Sequence, residues 1–479
     1  MNLKVNNFIK NFSYTLSSNL LSMIISTLII LIIPKLIGIE DYGYYQLYLF
    51  YSTYVGFMHF GWNDGIYLRY GGKHYHDLDK KVFFSQFWML TIFQLSISFF
   101  IYGITDIAVI DRNRIFIIKM TAMCMLIVNI RLMLIYILQG TNRIKEYAQI
   151  TMMEKILYCL LIALFSLTNL RSYKFLISAD IVGKTISLLY AAYCCKDIVF
   201  NRLSSFYFNI KETINNINVG IKLMFANIAS LFIIGVVRFG IEHSWNVSTF
   251  GKVSLTLSIS NFMMVFINAL GIIMFPVLRR SNKNKLPLIY KSFRTFLMTP
   301  LFGLLIVYYP IKIILLIWIP QYKDSINYMA ILFPMCVFEG KMALLNNTFL
   351  KTLRKEKMIL TVNIAAATLS VILTFLSTIL IKNLFLAVIS IVILSAFRCL
   401  LAELILSNIL GLSLYKDMLL ELVMTIIFIS TSWFLTSWYG SLVYILIYII
   451  YLLINKTKIV ETANTIYQLV RGNAKKTIH

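Results

Sequence analysis

Acidic residues are scarce in this chain, and so is charge of either sign. Asp and Glu number 20 against 44 Lys and Arg, and charged residues make up only 13% of 479 positions. A soluble domain carries about a quarter charged residues, so a water-soluble globular class is excluded. Proline is rare too, at seven residues, which excludes long Pro-rich linkers. The six cysteines (Cys124, Cys159, Cys194, Cys195, Cys336 and Cys399) all fall within apolar runs and lack metal-ligand spacing. They read as small apolar residues, with no disulfide framework. No phosphate-binding Gly loop, nucleophile elbow or H-E-x-x-H motif occurs, so no catalytic residue, metal or cofactor is assigned. The cluster "KHYHDLDK" (residues 73–80) gathers His74, His76, Asp77 and Asp79. It reads as a solvated hinge between helices rather than a metal site.

What is present is apolar surface. Hydrophobic residues reach 59%, with a mean hydropathy of +0.79. Runs of roughly 20 apolar residues, each long enough to cross a hydrocarbon core as a helix, recur along the whole length. The reading is an all-α polytopic membrane protein of about fourteen spans. The first six are placed at 12–33, 44–60, 83–104, 115–138, 147–168 and 173–195. Six more are placed at 220–237, 250–275, 295–317, 325–349, 358–381 and 384–410, and a last pair at 419–436 and 441–454. The first span is too long for a signal-peptide core and ends in "IIPKLIG" without a cleavage pattern, so it is read as a retained helix. Connections are short, and no soluble domain is expected.

The formal charge of +24 is dispersed over helix ends, which argues against nucleic-acid binding. Of the 44 Lys and Arg, 27 fall on the side shared by both termini and the loops after even-numbered spans. Positive loops stay cytoplasmic, so both termini are predicted inside. The most basic loop, residues 278–294, reads as a topology anchor at anionic headgroups.

The chain also repeats itself. Tyr42-Gly43 in "GIEDYGYYQLYLF" (residues 38–50) matches Phe250-Gly251, and "LQGTNRIKEYAQI" (138–150) echoes "LKTLRKEKMILTV" (350–362). The offsets, 208 and 211 to 212 residues, suggest a duplicated unit of six helices. An even number makes the copies parallel, related by an axis along the membrane normal. The expected domains are residues 1–205, 206–412 and 413–479, with the last two helices outside both lobes. The glycine is expected to relieve a turn, with Tyr42, Tyr44 and Tyr45 at headgroup level.

These elements, together with "FGKVSLTLSISNFMMVFINALGIIMFPVLRR" (250–280) and "IPQYKDSINYMAILFP" (319–334), resemble the polysaccharide-type flippases. Those are the O-antigen and capsule-repeat exporters of the multidrug/oligosaccharidyl-lipid/polysaccharide superfamily, and the resemblance covers about residues 1–412. Two departures stand out: "GIKLMFANIAS" (220–230) lacks the proline frequent there, and Val237-Arg238 replaces an Asp-Arg pair. The resemblance implies a bacterial cytoplasmic-membrane protein moving an undecaprenyl-pyrophosphate-linked oligosaccharide to the outer leaflet. It implies membrane lipids as surroundings, with a polysaccharide polymerase and a chain-length regulator as possible protein partners.

Charge inside the membrane needs a reason, because each such side chain costs several kcal/mol to insert. The deepest groups are Arg131, Glu154, Lys155, Asp180 and Lys184 in the first copy, and Glu339, Lys341, Arg398 and Glu403 in the second. Asp180 and Lys184, four apart, are predicted to pair, and Arg398 and Glu403 to meet loosely. Arg131, with no acid in its own span, is the leading candidate to face a hydrated, phosphate-attracting lumen. Arg131, Lys341, Arg398, Lys155 and Lys184 are the candidate substrate-binding cations. Since the resembling family lines its cavity with the first two helices of each lobe, Lys222, Lys252 and Arg69 join them. Pro310 and Pro334 are expected to kink spans 9 and 10. Two other readings remain: an ion-coupled small-molecule antiporter like the MATE transporters, whose lumen should be acidic for cations, and a membrane polysaccharide polymerase, which should carry a long outer loop.

Overall fold

The computed structural model describes residues 3–168, 170–279, 286–435 and 438–464. Among the described residues every regular element is helical, because a chain without enough polar surface must satisfy its backbone inside each segment. Among the described residues ten helices are long and apolar enough to cross a membrane, or up to twelve when each of two sharply bent pairs counts as one span. The expected count of fourteen is not tested by these described residues alone.

Packing divides the chain into two units, Met1–Ile228 with Val247–Gly251, and Ala229–Asn246 with Lys252–His479. The first unit contains α1 (Leu3–Leu36), α2 (Ile39–Ser52), α3 (Trp62–Tyr70), α4 (Lys80–Ala108), α5 (Arg112–Gly140), α6 (Ile144–Leu167), α7 (Tyr173–Cys194) and the short α8 (Lys196–Val199). It also holds the first half of α9 (Ile210–Ser244) and the first turn of α10 (Val247–Arg279). Its core gathers Trp62, Ile66, Leu90, Met133, Leu138 and Ile150.

The second expected span is longer than its hydropathy suggested, and it is broken. α2 ends at Ser52, the chain passes through left-handed Phe60 and Gly61 (φ 51° and 82°), and α3 continues to Tyr70. Carbonyls freed by such a break must find partners inside the membrane. Asn129 of α5 donates to the Val55 carbonyl at 3.0 Å, and Gln94 of α4 donates to that of Met58 at 2.8 Å. Asp64 and Arg69, both in this second half, lower its hydropathy.

The glycine elbow also differs from expectation. The turn lies at Gly38, and Gly43 sits inside α2, where α10 crosses it. A Cβ on Gly43 would stand 2.3 Å from the Val247 carbonyl oxygen, and one on Gly251 2.6 Å from the Gly43 Cα. The two glycines of the sequence echo thus meet, which explains why both are glycine. Tyr42, Tyr44 and Tyr45 are buried within the protein. Tyr45 exchanges a hydrogen bond with Tyr158 at 2.6 Å.

The second unit contains the rest of α9 and α10, then α11 (Leu286–Leu304), α12 (Tyr308–Trp318), α13 (Lys323–Leu332), α14 (Met335–Lys341), α15 (Asn347–Thr352), α16 (Glu356–Thr374), α17 (Leu384–Leu410), α18 (Tyr415–Phe434) and α19 (Trp438–Ile454). Pro334 separates α13 from α14, and the tenth span bends there by 42°. A π turn, Met342–Asn346, follows directly after Lys341. The C-terminal pair, expected outside both lobes, packs into this unit. Phe428 of α18 lies edge-on to Tyr308 and to Tyr444 of α19, with ring centres 5.4 and 5.2 Å apart.

One turn recurs in both units. After α5, the Arg143 N–H donates to the Leu138 carbonyl and Asn142 is left-handed, with φ 63°. After α15, the Lys355 N–H donates to the Leu350 carbonyl and Arg354 is left-handed, with φ 55°. This is the same Schellman ending at an offset of 212 residues, the spacing of the sequence echo.

Candidate functional site

In the first unit the deep charges converge from three helices. Arg131 of α5 bonds Glu154 of α6 and donates to the Ser187 hydroxyl of α7 at 3.0 Å. Sequence reading had found no acid in Arg131's own span; its partner comes from the next one. Lys155 keeps its side chain 34% exposed while its Nζ lies 3.8 Å from Glu154. Adjacent residues cannot share a helix face, but a flexible lysine reaches round. Asp180 and Lys184 pair along α7 as expected, and Tyr48 donates to Asp180 at 2.6 Å. Three cations thus meet two carboxylates in this group.

The second unit has two separate clusters. In the first, Arg398 of α17 donates to Asn363 of α16 at 3.0 Å, to Glu339 of α14 at 3.2 Å and to Ser230 of α9 at 2.8 Å. The expected Arg398–Glu403 contact is replaced by these bonds. Glu339, Asn363 and Arg398 lie 208, 209 and 211 residues beyond Arg131, Glu154 and Ser187. Matching helices of the two expected copies therefore carry a polar clamp, with base, acid and hydroxyl in order along α5, α6 and α7 but acid, amide and base along α14, α16 and α17.

The other cluster is sealed. Lys341 is fully buried between Glu403 and Glu421, 2.6 Å from the latter. Arg294 of α11 lies 2.7 Å from Glu403 and 2.5 Å from Glu421. Asp417, which also holds Lys458, lies 3.8 Å from Arg294, so three carboxylates face the three cations and Lys341 offers no free charge to a ligand in this conformation. Its place is a brace joining α11, α14, α17 and α18. Arg294 and Glu421 were missed because they sit at the rims of their expected spans, where charge is ordinary.

Arg69 is engaged by α9: it lies 2.7 Å from Glu212 and 2.5 Å from the Asn216 carbonyl oxygen, and Tyr70 also donates to Glu212. Lys222 is exposed and Lys252 half-buried. Arg238, at the position of the family departure, donates to Ser254 at 3.1 Å. In the "KHYHDLDK" loop His74, His76, Asp77 and Asp79 are exposed. No group of three metal-ligating side chains occurs among the described residues. Arg280, Lys283 and the basic tail beyond 464, which the orientation reading used, lie outside the described residues.

The chain is thus a polytopic helical membrane protein with paired charges held between its helices. No protein-family model matches the sequence, and no curated protein matches it. Solved structures do match in fold. The lipid II flippase MurJ in an inward closed conformation superposes with a TM-score of 0.62 at 14% identity, over 96% of this chain and 99% of that one. An inward-facing multidrug resistance MATE family transporter of the MOP superfamily gives 0.55 at 12% identity, over 80% and 96%. At these identities what is shared is the fold, the one expected from the sequence.

Proposed function

We propose that the protein is a flippase that carries a polyprenyl-pyrophosphate-linked oligosaccharide across a bacterial cytoplasmic membrane by alternating access, with both termini cytoplasmic. The observation that carries this reading is the cation excess held at membrane depth in the first unit: Arg131, Lys155 and Lys184 against Glu154 and Asp180. Cations at that depth are costly unless they serve an ion or ligand. A pyrophosphate is the matching charge, and a guanidinium fork suits its oxygens. The likeness in fold to a lipid flippase over nearly the whole chain supports a lipid-borne substrate. A drug antiporter for organic cations is less well served, because its lumen calls for an acid excess. Arg398 in its polar clamp, with Lys222, Lys252 and Arg69, belongs to the proposed path; Lys341 enters it only if the sealed cluster opens.

The test is complementation of surface-polysaccharide display in a flippase-null strain, with membrane protein levels measured in parallel. Lys155→Ala and Arg131→Gln are expected to insert at normal level and to lose most display. Arg131→Lys, which retains a point charge for Glu154 and for phosphate, is expected to keep part of it. Normal display by Arg131→Gln and Lys155→Ala at equal protein level removes the cationic path.

A further inference from the structure

Lys312 is the only charged residue of α12, whose sequence is YYPIKIILLIW. It is half-buried, and its ammonium meets no carboxylate and no hydrogen-bond acceptor among the described residues. It lies over the Tyr308 ring, 5.8 Å from the centre. The Tyr308 hydroxyl, one helical turn away, is buried and also unpaired. The cations of the clusters above each have an acid, as Arg131 has Glu154, Lys341 has Glu403 and Arg398 has Glu339. A charged side chain within an apolar helix is costly unless something serves it. Lys312 lacks the partner that the other deep cations possess.

Lys312 lines a cavity of about 270 Å³ with Tyr308 and Tyr309 of α12, Ser432 of α18, and Trp438 and Ser441 of α19. The hydroxyl hydrogens around it are already placed. Ser432 donates to the Tyr309 hydroxyl at 3.2 Å, and Ser441 to the Trp438 carbonyl at 2.7 Å. Thr431 donates to the Ile427 carbonyl at 2.9 Å, so in its 3.2 Å contact with Tyr309 the phenol is the donor. What Ser432 and Ser441 keep for a ligand is therefore lone pairs. The cavity suits a molecule with a negative charge for Lys312 and hydroxyl groups of its own to donate to the serines.

The position of the cavity indicates where such a molecule comes from. Lys312 lies six residues, about 9 Å, before the end of α12 at Trp318. Ser432 and Trp438 flank the end of α18 and the start of α19. Trp318, Phe434, Trp438 and Tyr439 are exposed at these helix ends, as aromatic residues are at a membrane–water interface. Ile313, Ile314 and Ile317 of α12 are exposed as well. They offer an apolar face to acyl chains, which a water-soluble anion does not have.

We propose that this cavity binds the headgroup of a phosphoglycerol phospholipid. Its phosphodiester lies against Lys312, its glycerol hydroxyls donate to Ser432 and Ser441, and its acyl chains run along the exposed isoleucines. Trp438 and Ser441 belong to the C-terminal helix pair, so the lipid is a ligand shared between that pair and α12. The site uses none of the residues of the charge clusters and requires only that the protein spans a membrane.

The experiment is native mass spectrometry of the purified full-length protein, delipidated in detergent and titrated with phosphatidylglycerol, phosphatidic acid or phosphatidylethanolamine. One phosphatidylglycerol is expected to be retained more tightly than either of the others. Phosphatidic acid has the charge without the glycerol hydroxyls, and phosphatidylethanolamine has no net charge. Lys312→Met is expected to weaken that binding about tenfold, the worth of one charge-assisted hydrogen bond. Ser441→Leu fills the cavity and leaves the charge, and the same loss is expected. Lys323→Met, at an exposed lysine opening α13, is expected to bind as the wild type does. Glycerol 3-phosphate, the headgroup without its chains, is expected not to displace the lipid. Equal retention of phosphatidic acid, or undiminished binding by Lys312→Met, overturns the proposal. Undiminished binding by Ser441→Leu also overturns it, by reducing Lys312 to a snorkelling lysine. Displacement by glycerol 3-phosphate makes the ligand a soluble anion and overturns the lipid assignment. The comparison of lipids uses the wild-type protein, so it decides the matter even where a variant folds poorly.

Discussion

Single residues in this protein divide by whether their charge is balanced where they sit. Lys341 is the most enclosed cation, and its two carboxylates would share Arg294 alone without it. Removing one partner of a buried ionic group costs about 3–5 kcal/mol, whereas removing a neutral set together costs little. Lys341→Met is therefore expected to lower the thermal unfolding temperature of the purified protein markedly. Lys341→Met with Glu421→Gln is expected to recover most of the loss. Equal melting of the single and double variants would refute the brace. At this scale the sequence was legible only where partners share a helix. Asp180 and Lys184 are four apart and were readable. Arg131 with Glu154, and Arg398 with Glu339 and Asn363, are joined by tertiary packing, which no local spacing encodes. His59 and Asp64 flank a left-handed bend that hydropathy does not register.

Among the elements, the apolar runs were easiest to read, since helices long enough to span are set by hydrophobic length alone. The broken second span was read short because Asp64 and Arg69 fall in its second half. The role of Gly43 was misread for a related reason: a glycine in a turn and one at a helix crossing look alike without the neighbouring helix. The crossings yield a second prediction. Gly220→Val places methyl groups where the Gly61 oxygen and Gly65 nitrogen already lie, and it is expected to abolish polysaccharide display while the protein still reaches the membrane. Gly103→Ala, with nothing within 4 Å of its Cβ position, is the matched control and is expected to display normally. Full display by Gly220→Val would mean that the α3–α9 crossing is dispensable.

For the whole molecule, the expected duplication was the most informative reading of the sequence, and at its second anchor the same hydrogen-bonded turn occurs twice, 212 residues apart. Duplication by an even number of spans predicts parallel copies. Impermeant thiol labelling of intact cells is accordingly expected to reach Asp111→Cys and Lys323→Cys but not Lys73→Cys. Labelling of Lys73→Cys from outside would overturn the orientation. The proposed substrate was readable only through resemblance and charge, because a site for sugars and a lipid tail need not present a motif of fixed spacing. The most direct measurement is therefore transbilayer movement itself. The purified protein is reconstituted into liposomes carrying a fluorescent polyprenyl-pyrophosphate-linked oligosaccharide, and inner-leaflet probe is scored by its protection from a membrane-impermeant quencher. The account predicts protein-dependent loss of that protection for the pyrophosphate-linked oligosaccharide, and none for a neutral polyprenol-linked one. Movement of both lipids at equal rate, or of neither while the protein transports an organic cation, would contradict it.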